Sequence, residues 1–165
     1  MAHDSPHGET AIRERIAALA LAIRAKDLDG VMAIFAADVV SFDLGPPLVH
    51  GGGEVFRSHW RALFDAYRDD IAYDVRDLAV AVSGEVAFSH SLNRTAGTTA
   101  DGRRSERWLR WTACWRRIAG RWQVVHEHVS VPVDLRAGRA LLDLRPPPVV
   151  GRRHEAIGPP PPGLR

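Results

Sequence analysis

The chain has 165 residues, 45% of them hydrophobic, with five tryptophans and 22 basic against 20 acidic side chains. That length suits one domain with a substantial core, and the near balance of charge argues against a nucleic-acid partner. No apolar run reaches the ~20 residues that span a bilayer, so no membrane partner is expected, and the single cysteine, Cys114, excludes a disulfide within the chain.

The opening "MAHDSPHGET" lacks the basic start and apolar stretch of a secretory signal, and residues 1–8 are expected to form a flexible leader. The lone cysteine fits a reducing compartment, so the expected location is cytoplasmic. From Thr10 to Lys26 the apolar positions Ile12, Ile16, Leu19, Ala20 and Ile23 recur at helical spacing. "KDLDG" interrupts that helix, and Asp27 or Asp29 can cap a second one through Phe35. "ADVVSFD" reads as a short strand that "LGPP" breaks, because proline cannot continue the ladder. A third helix begins near Gly53, with Phe56, Trp60, Leu63, Phe64 and Tyr67 as its apolar stripe.

Beyond Arg68 the pattern changes to four strand-like runs, "IAYDVRDLAVAV", "EVAFSHSLNRT", "RSERWLRWTACWRR" and "RWQVVHEHVSV". Helices first and strands later indicate an α+β fold whose antiparallel sheet the helices cover on one face. The arginines in "GRRSERWLRWTACWRR" read as the solvated face of a long strand rather than as a platform for single-stranded nucleic acid. Residues 134–165 are expected to hold one short helix, around Arg139 to Leu144, and a proline-rich tail ending in "GPPPPGLR".

Alternation divides each strand into two faces. Leu109, Trp111, Ala113 and Trp115 form an apolar set that should meet the helices. Val86, Phe88, His90 and Leu92 form another, which puts His90 inside among apolar neighbours; the plainer reading is a core histidine with its hydrogen bonds met. In the last strand, Trp122, Val124, His126 and His128 oppose Gln123, Val125, Glu127 and Val129. A three-residue loop "IAG" would pair Arg117 with Arg121 and turn Glu127 inward, whereas a two-residue loop would turn His126 and His128 inward. The three-residue loop is the expectation.

"DLDGVMAIFAADVVSFD" and "GRWQVVHEHVSVP", together with the element order over residues 10–133, resemble the nuclear transport factor 2-like (NTF2-like) superfamily. Within it the chain resembles the SnoaL-like, ketosteroid isomerase-related proteins. That resemblance implies a cone: a strongly curved antiparallel sheet wrapped around three N-terminal helices, spanning residues 9–133. It also implies one deep apolar pocket and a homodimer through the outer sheet face. The isomerases carry a general-base aspartate at the position of Asp43. They also use an oxyanion hole made by a tyrosine near the place of Leu19 and by an acid near Ala113, and this chain lacks both, which argues against steroid isomerisation by that route. The superfold hosts many functions, so activity must be argued from the site.

Three readings of that site follow. In the acid–base reading, Asp43, His90 and Glu127 meet in a pocket walled by Phe56, Trp60, Phe64, Trp111 and Trp115, where burial would raise a carboxyl pKa. Arg94, at the rim, would greet a ligand's anionic end, His126 and His128 would contribute if their face turned inward, and no cofactor is needed to enolise, cyclise or dehydrate a small apolar carbonyl compound. Equally open for Asp43 is a turn-closing role before Leu-Gly-Pro-Pro. In the metal reading, His126 and His128 would share an ion with His90 or Asp43; the expected hairpin register separates them, so no metal is expected. "GGG" at 51–53 lacks the lysine of a phosphate loop. The third reading is a ligand-binding or assembly domain without turnover, in which Glu127 and His90 form a buried structural pair.

Overall fold

The computed structural model describes residues 5–148. Two helices, α1 (Ser5–Arg24) and α2 (Leu28–Met32), open the described residues, and α3 (Gly53–Asp65) follows the first two strands. Ile12, Ile16, Leu19 and Ile23 of α1 are all buried, as their spacing predicts. The helix starts earlier than expected, so residues 5–8 belong to it rather than to a flexible leader. Asp27 caps α2 by accepting from the Gly30 amide at 3.0 Å, and this helix stops at Met32, so Phe35 opens a strand instead.

Eight strands follow the chain: β1 (Phe35–Phe42), β2 (His50–Gly51), β3 (Ala72–Ser83), β4 (Val86–Thr98), β5 (Arg104–Ile118), β6 (Arg121–Ser130), β7 (Val133–Asp134) and β8 (Arg139–Ala140). Six of them form one curved sheet in the order β2-β1-β6-β5-β4-β3. The expected all-antiparallel sheet is corrected in one place: β1 runs parallel to β6. The long connection through α3 and four further strands permits that pairing, and β1 sits between its chain neighbour β2 and the last long strand. β7 and β8 form a separate small hairpin where a short helix over Arg139 to Leu144 was expected. The proline-rich "GPPPPGLR" lies outside the described residues, and among the described residues no helix is long and apolar enough to cross a membrane.

The core lies between the helices and the concave sheet face. Trp111, Ala113, Trp115, Trp122 and Val124 pack from the sheet against the buried residues of α1 and α3. On β4 the faces are reversed relative to expectation. Ser89, Ser91, Asn93 and Thr95 are buried, while Val86 and Phe88 are 55% and 52% exposed. The small polar side chains win the inner face because that face carries hydrogen-bonding partners: Trp115 Nε1 donates to Ser89 Oγ at 2.9 Å, and Ser91 Oγ donates to Asn93 Oδ1 at 2.7 Å. The β3–β4 end needs a glycine at 97, where a Cβ would stand 2.8 Å from the Tyr67 ring.

The hairpin between β5 and β6 also differs from expectation. Ile118 pairs with Arg121 across a two-residue turn, Ala119-Gly120, both with positive φ (49° and 78°), the requirement of a type I′ turn. Trp115 opposes Val124, but Cys114 opposes His126, so Val125 is an extra residue in β6. This bulge switches the face parity midway along the strand. Trp122 and Val124 point inward before it, and Glu127 points inward after it. Glu127 is therefore inside, though by a bulge rather than by the loop length.

Candidate active site

A cavity of about 200 Å³ opens between α1, α3 and the concave sheet face, lined by residues that include Asp43, His59, Trp60, Tyr73, Trp111 and Glu127. Strand β1 delivers its first carboxylate. Val39 and Ser41 are fully buried on the inner face, and the same alternation carries Asp43, just past the strand end, to the cavity. Its Oδ1 accepts from the Leu44 amide at 2.6 Å, so the turn-closing role and the cavity position belong to one side chain.

Helix α3 supplies the partner that the sequence reading missed. His59 Nε2 donates to Asp43 Oδ2 at 2.7 Å. The His59 ring stacks parallel on Phe56 at 6.3 Å between centroids, and the buried His50 ring lies 4.8 Å away. One signal was available: His59 falls three residues after Phe56 and four before Leu63, on the edge of the helix's apolar stripe. Burial alone would raise the Asp43 carboxyl. The hydrogen bonds from His59 and the Leu44 amide, with the charges of His59 and His50, outweigh it and hold Asp43 below its ordinary value. Conversely, His59 is raised by its hydrogen bond to Asp43, against the opposing effect of burial, with the charges of Asp43 and Glu127 adding to the rise.

The second carboxyl, Glu127 on β6, is 3% exposed. Ser41 Oγ donates to its Oε1 at 2.9 Å and Trp111 Nε1 to its Oε2 at 2.8 Å. Burial pushes this carboxyl up to about 7; the bonds from Trp111 and Ser41 oppose the rise, the charge of Asp43 adds to it, and His59 offsets part of it. A group that changes charge near neutrality can both take and return a proton, which is what a catalytic acid or base needs. Beside it, the Asp43–His59 pair keeps one carboxylate ionised and one imidazole disposed to hold a proton. Two carboxyl groups in one hollow are thus pushed in opposite directions by their surroundings.

Several expected site residues lie elsewhere. His90 projects from the outer face of β4, opposite Thr112 of β5, because the polar side chains take the inner face there. Thus His90 and Glu127 do not form a pair. His126 and His128 are also on the outer face, turned there by the bulge: His126 Nδ1 donates to the Val40 carbonyl at 2.8 Å, and both rings stand edge-on to Phe42. Arg94, on that outer face too, bonds Asp74 at 2.9 Å and Glu106 at 3.3 Å. Phe56, Phe64 and Trp115 are buried in the core beside the cavity rather than on its wall; Trp60 and Trp111 do line it. Among the described residues no three His, Cys, Asp or Glu side chains converge as metal ligands would.

A curved sheet wrapped around helices, with a cavity between the two, is the architecture of the NTF2-like proteins, and the comparisons agree. The chain belongs to the SnoaL-like domain family, whose model matches residues 12–134. An NTF2-like protein of unknown function from Pseudomonas putida is 33% identical, with a TM-score of 0.79 over 86% of this chain and 99% of that one. At lower identity the likeness is one of fold. A ketosteroid isomerase-like protein from Erwinia carotovora is 21% identical (TM-score 0.65; 79% and 97% covered). The hexachlorocyclohexane dehydrochlorinase LinA-type3 from Novosphingobium barchaimii is 12% identical (TM-score 0.67; 75% and 86% covered). No functionally curated protein matches the chain in sequence.

Proposed function

We propose that the chain is a cofactor-independent acid–base enzyme, an isomerase, cyclase or dehydratase, acting on a small apolar carbonyl compound. The observation that carries this reading is Glu127, buried and poised near neutrality, sharing a cavity with the Asp43–His59 pair. As a carboxylate, Glu127 takes a proton from the carbon next to the carbonyl. His59, oriented by Asp43 and made more ready to hold a proton by it, returns a proton at a second position: a carbon for isomerisation, a departing hydroxyl for dehydration. Asp43 itself, with its lowered pKa, is the weaker base of the two carboxylates.

Proton exchange tests this without knowledge of the natural substrate. Proton NMR of 3-methylcyclohex-2-enone in deuterated buffer should show exchange beside the carbonyl faster with the protein than without it. Glu127→Gln and Asp43→Asn should each slow that exchange by roughly 10²-fold or more, the usual contribution of a positioned acid or base, with near-UV circular dichroism unchanged. Wild-type exchange no faster than buffer, or full exchange in both variants, would leave the second reading, a ligand-binding or assembly domain. That reading is favoured by the hydrogen bonds that hold Glu127 between Ser41 and Trp111 as a fixed unit.

The convex sheet face is where a second copy docks in this proposal. Val40, Phe42, Val86 and Phe88 are between 36% and 55% exposed there, and registers align Val40, His126, Cys114 and Phe88 in one row across four strands. Apolar side chains grouped on one exposed sheet face mark an association surface.

A further inference from the structure

Trp108 belongs to neither the core nor the cavity wall. It lies on the convex face, on β5 opposite Arg94, with Glu106 two residues before it on the same face. Arg76 of β3 stands on the far side of β4, opposite Leu92, and its guanidinium lies over the Trp108 ring, 5.7 Å from the centroid. After β8 the chain returns to this corner. Residues 144–148 form neither helix nor strand. Arg145 Nη2 reaches Glu106 Oε1 at 3.3 Å, Pro146 is half-buried, and Arg76 Nη2 donates to the Pro147 carbonyl at 3.2 Å.

These contacts select two features of the segment. The hydrogen bond from Arg94 lowers the Glu106 carboxyl, and the charge of Arg145 adds to that effect, so an ionised carboxylate meets the arginine. Two residues on, a guanidinium seated on an indole ring donates to a carbonyl. Prolines lack an amide proton, so their carbonyls stay free for an outside donor, and a run of them is already extended as polyproline II before it binds. That helix rises about 3.1 Å per residue. Arg145 and Pro147 then lie about 6 Å apart, within reach of long side chains leaning in from strands about 10 Å apart. An aromatic shelf with a donor for a proline carbonyl and an acid for a basic residue is how proline-rich segments are recognised.

We propose that the corner formed by Glu106, Trp108 and Arg76 docks a proline-rich segment of another protein, one with an arginine directly before its prolines. The chain's own Arg145, Pro146 and Pro147 show which chemistry fits. They hold the corner lightly, since the Arg145 side chain is 73% exposed, so an incoming segment exchanges with them. The corner is on the opposite side of the sheet from the cavity, and docking there is independent of the acid–base reading.

Fluorescence anisotropy of a fluorescein-labelled peptide copying residues 143–148, titrated with the full chain, tests this. Arg145→Glu sets like charges against each other at Glu106 and weakens the tethered competitor, so this variant should bind the peptide roughly tenfold more tightly than the wild type does. In that background Arg76→Gln and Trp108→Ala should each abolish saturable binding, and a peptide with glutamate in place of its arginine should not bind. No saturable binding to Arg145→Glu, binding that survives Arg76→Gln, or equal binding of the charge-reversed peptide would overturn the proposal. Arg76 lies outside the core, so its variant decides even where Trp108→Ala folds poorly. A dimer in native mass spectrometry that Arg145→Glu dissociates would make a second copy the occupant, through exchanged proline segments, and would also overturn it.

Discussion

Glu127 shows how one side chain links stability to chemistry. Its carboxyl rises from an ordinary 4.5 to about 7 on folding. Between those values the folded chain holds a proton that the unfolded chain has released, so stability falls as pH rises through that window. His59, also raised, acts in the same direction: its contribution is present below 6.5 and is lost as pH rises through its folded value. Asp43 acts at the acid end, contributing above 3.8 and losing that contribution as pH falls. Thermal denaturation should therefore give a higher Tm at about pH 5 than at about pH 8. Glu127→Gln should remove most of the difference, adding about 3 kcal/mol of stability at the higher pH. A wild-type Tm as high at pH 8 as at pH 5 would contradict this. Both carboxylates were legible in the sequence, Glu127 as a charge in an apolar strand and Asp43 by resemblance. His59 was not, because a histidine on the edge of an apolar helix stripe looks the same whether it meets solvent or a carboxylate. Nor was Tyr73: the phenol reaches the cavity from β3, not from α1 near Leu19.

At the scale of elements, helical spacing and strand alternation located every long segment, yet alternation separates two faces without saying which is inside. On β4 that choice went to the polar set, because Ser89, Asn93 and Thr95 meet Trp115, Tyr73 and the cavity. On β6 a single extra residue, Val125, reversed the parity that the turn had set, and nothing in "WQVVHEH" distinguishes a bulged strand from a regular one. The turn itself carries a testable strain. Ala119 sits at a φ of 49°, where a side chain with a Cβ is disfavoured by roughly 1–2 kcal/mol. Asparagine tolerates that conformation and favours a type I′ turn before glycine. Ala119→Asn should thus raise Tm by about 2–4 °C; a lowered Tm would mean that the turn is not of this type.

For the molecule as a whole, the same sheet serves two surfaces. Its concave face closes a cavity around two carboxyl groups, and its convex face presents Phe42, Val86 and Phe88 to solvent in a single copy. If a second copy covers that face, native mass spectrometry should show a dimer, and Phe88→Glu should convert it to a monomer that retains ligand binding; a monomeric wild-type protein would contradict the arrangement. The overall cone was legible because all three helices precede the four long strands β3 to β6. The β1–β6 pairing was hidden by its sequence separation, since no local pattern records which distant strand will be the neighbour. What unites the scales is a carboxyl group kept at the edge of ionisation inside an apolar hollow. Carbon-13 NMR of the Glu127 side-chain carboxyl, followed across pH and assigned by its loss in Glu127→Gln, measures this directly. A titration midpoint near 7 is expected; a midpoint at the ordinary 4.5 would contradict both the site and the chemistry derived from it.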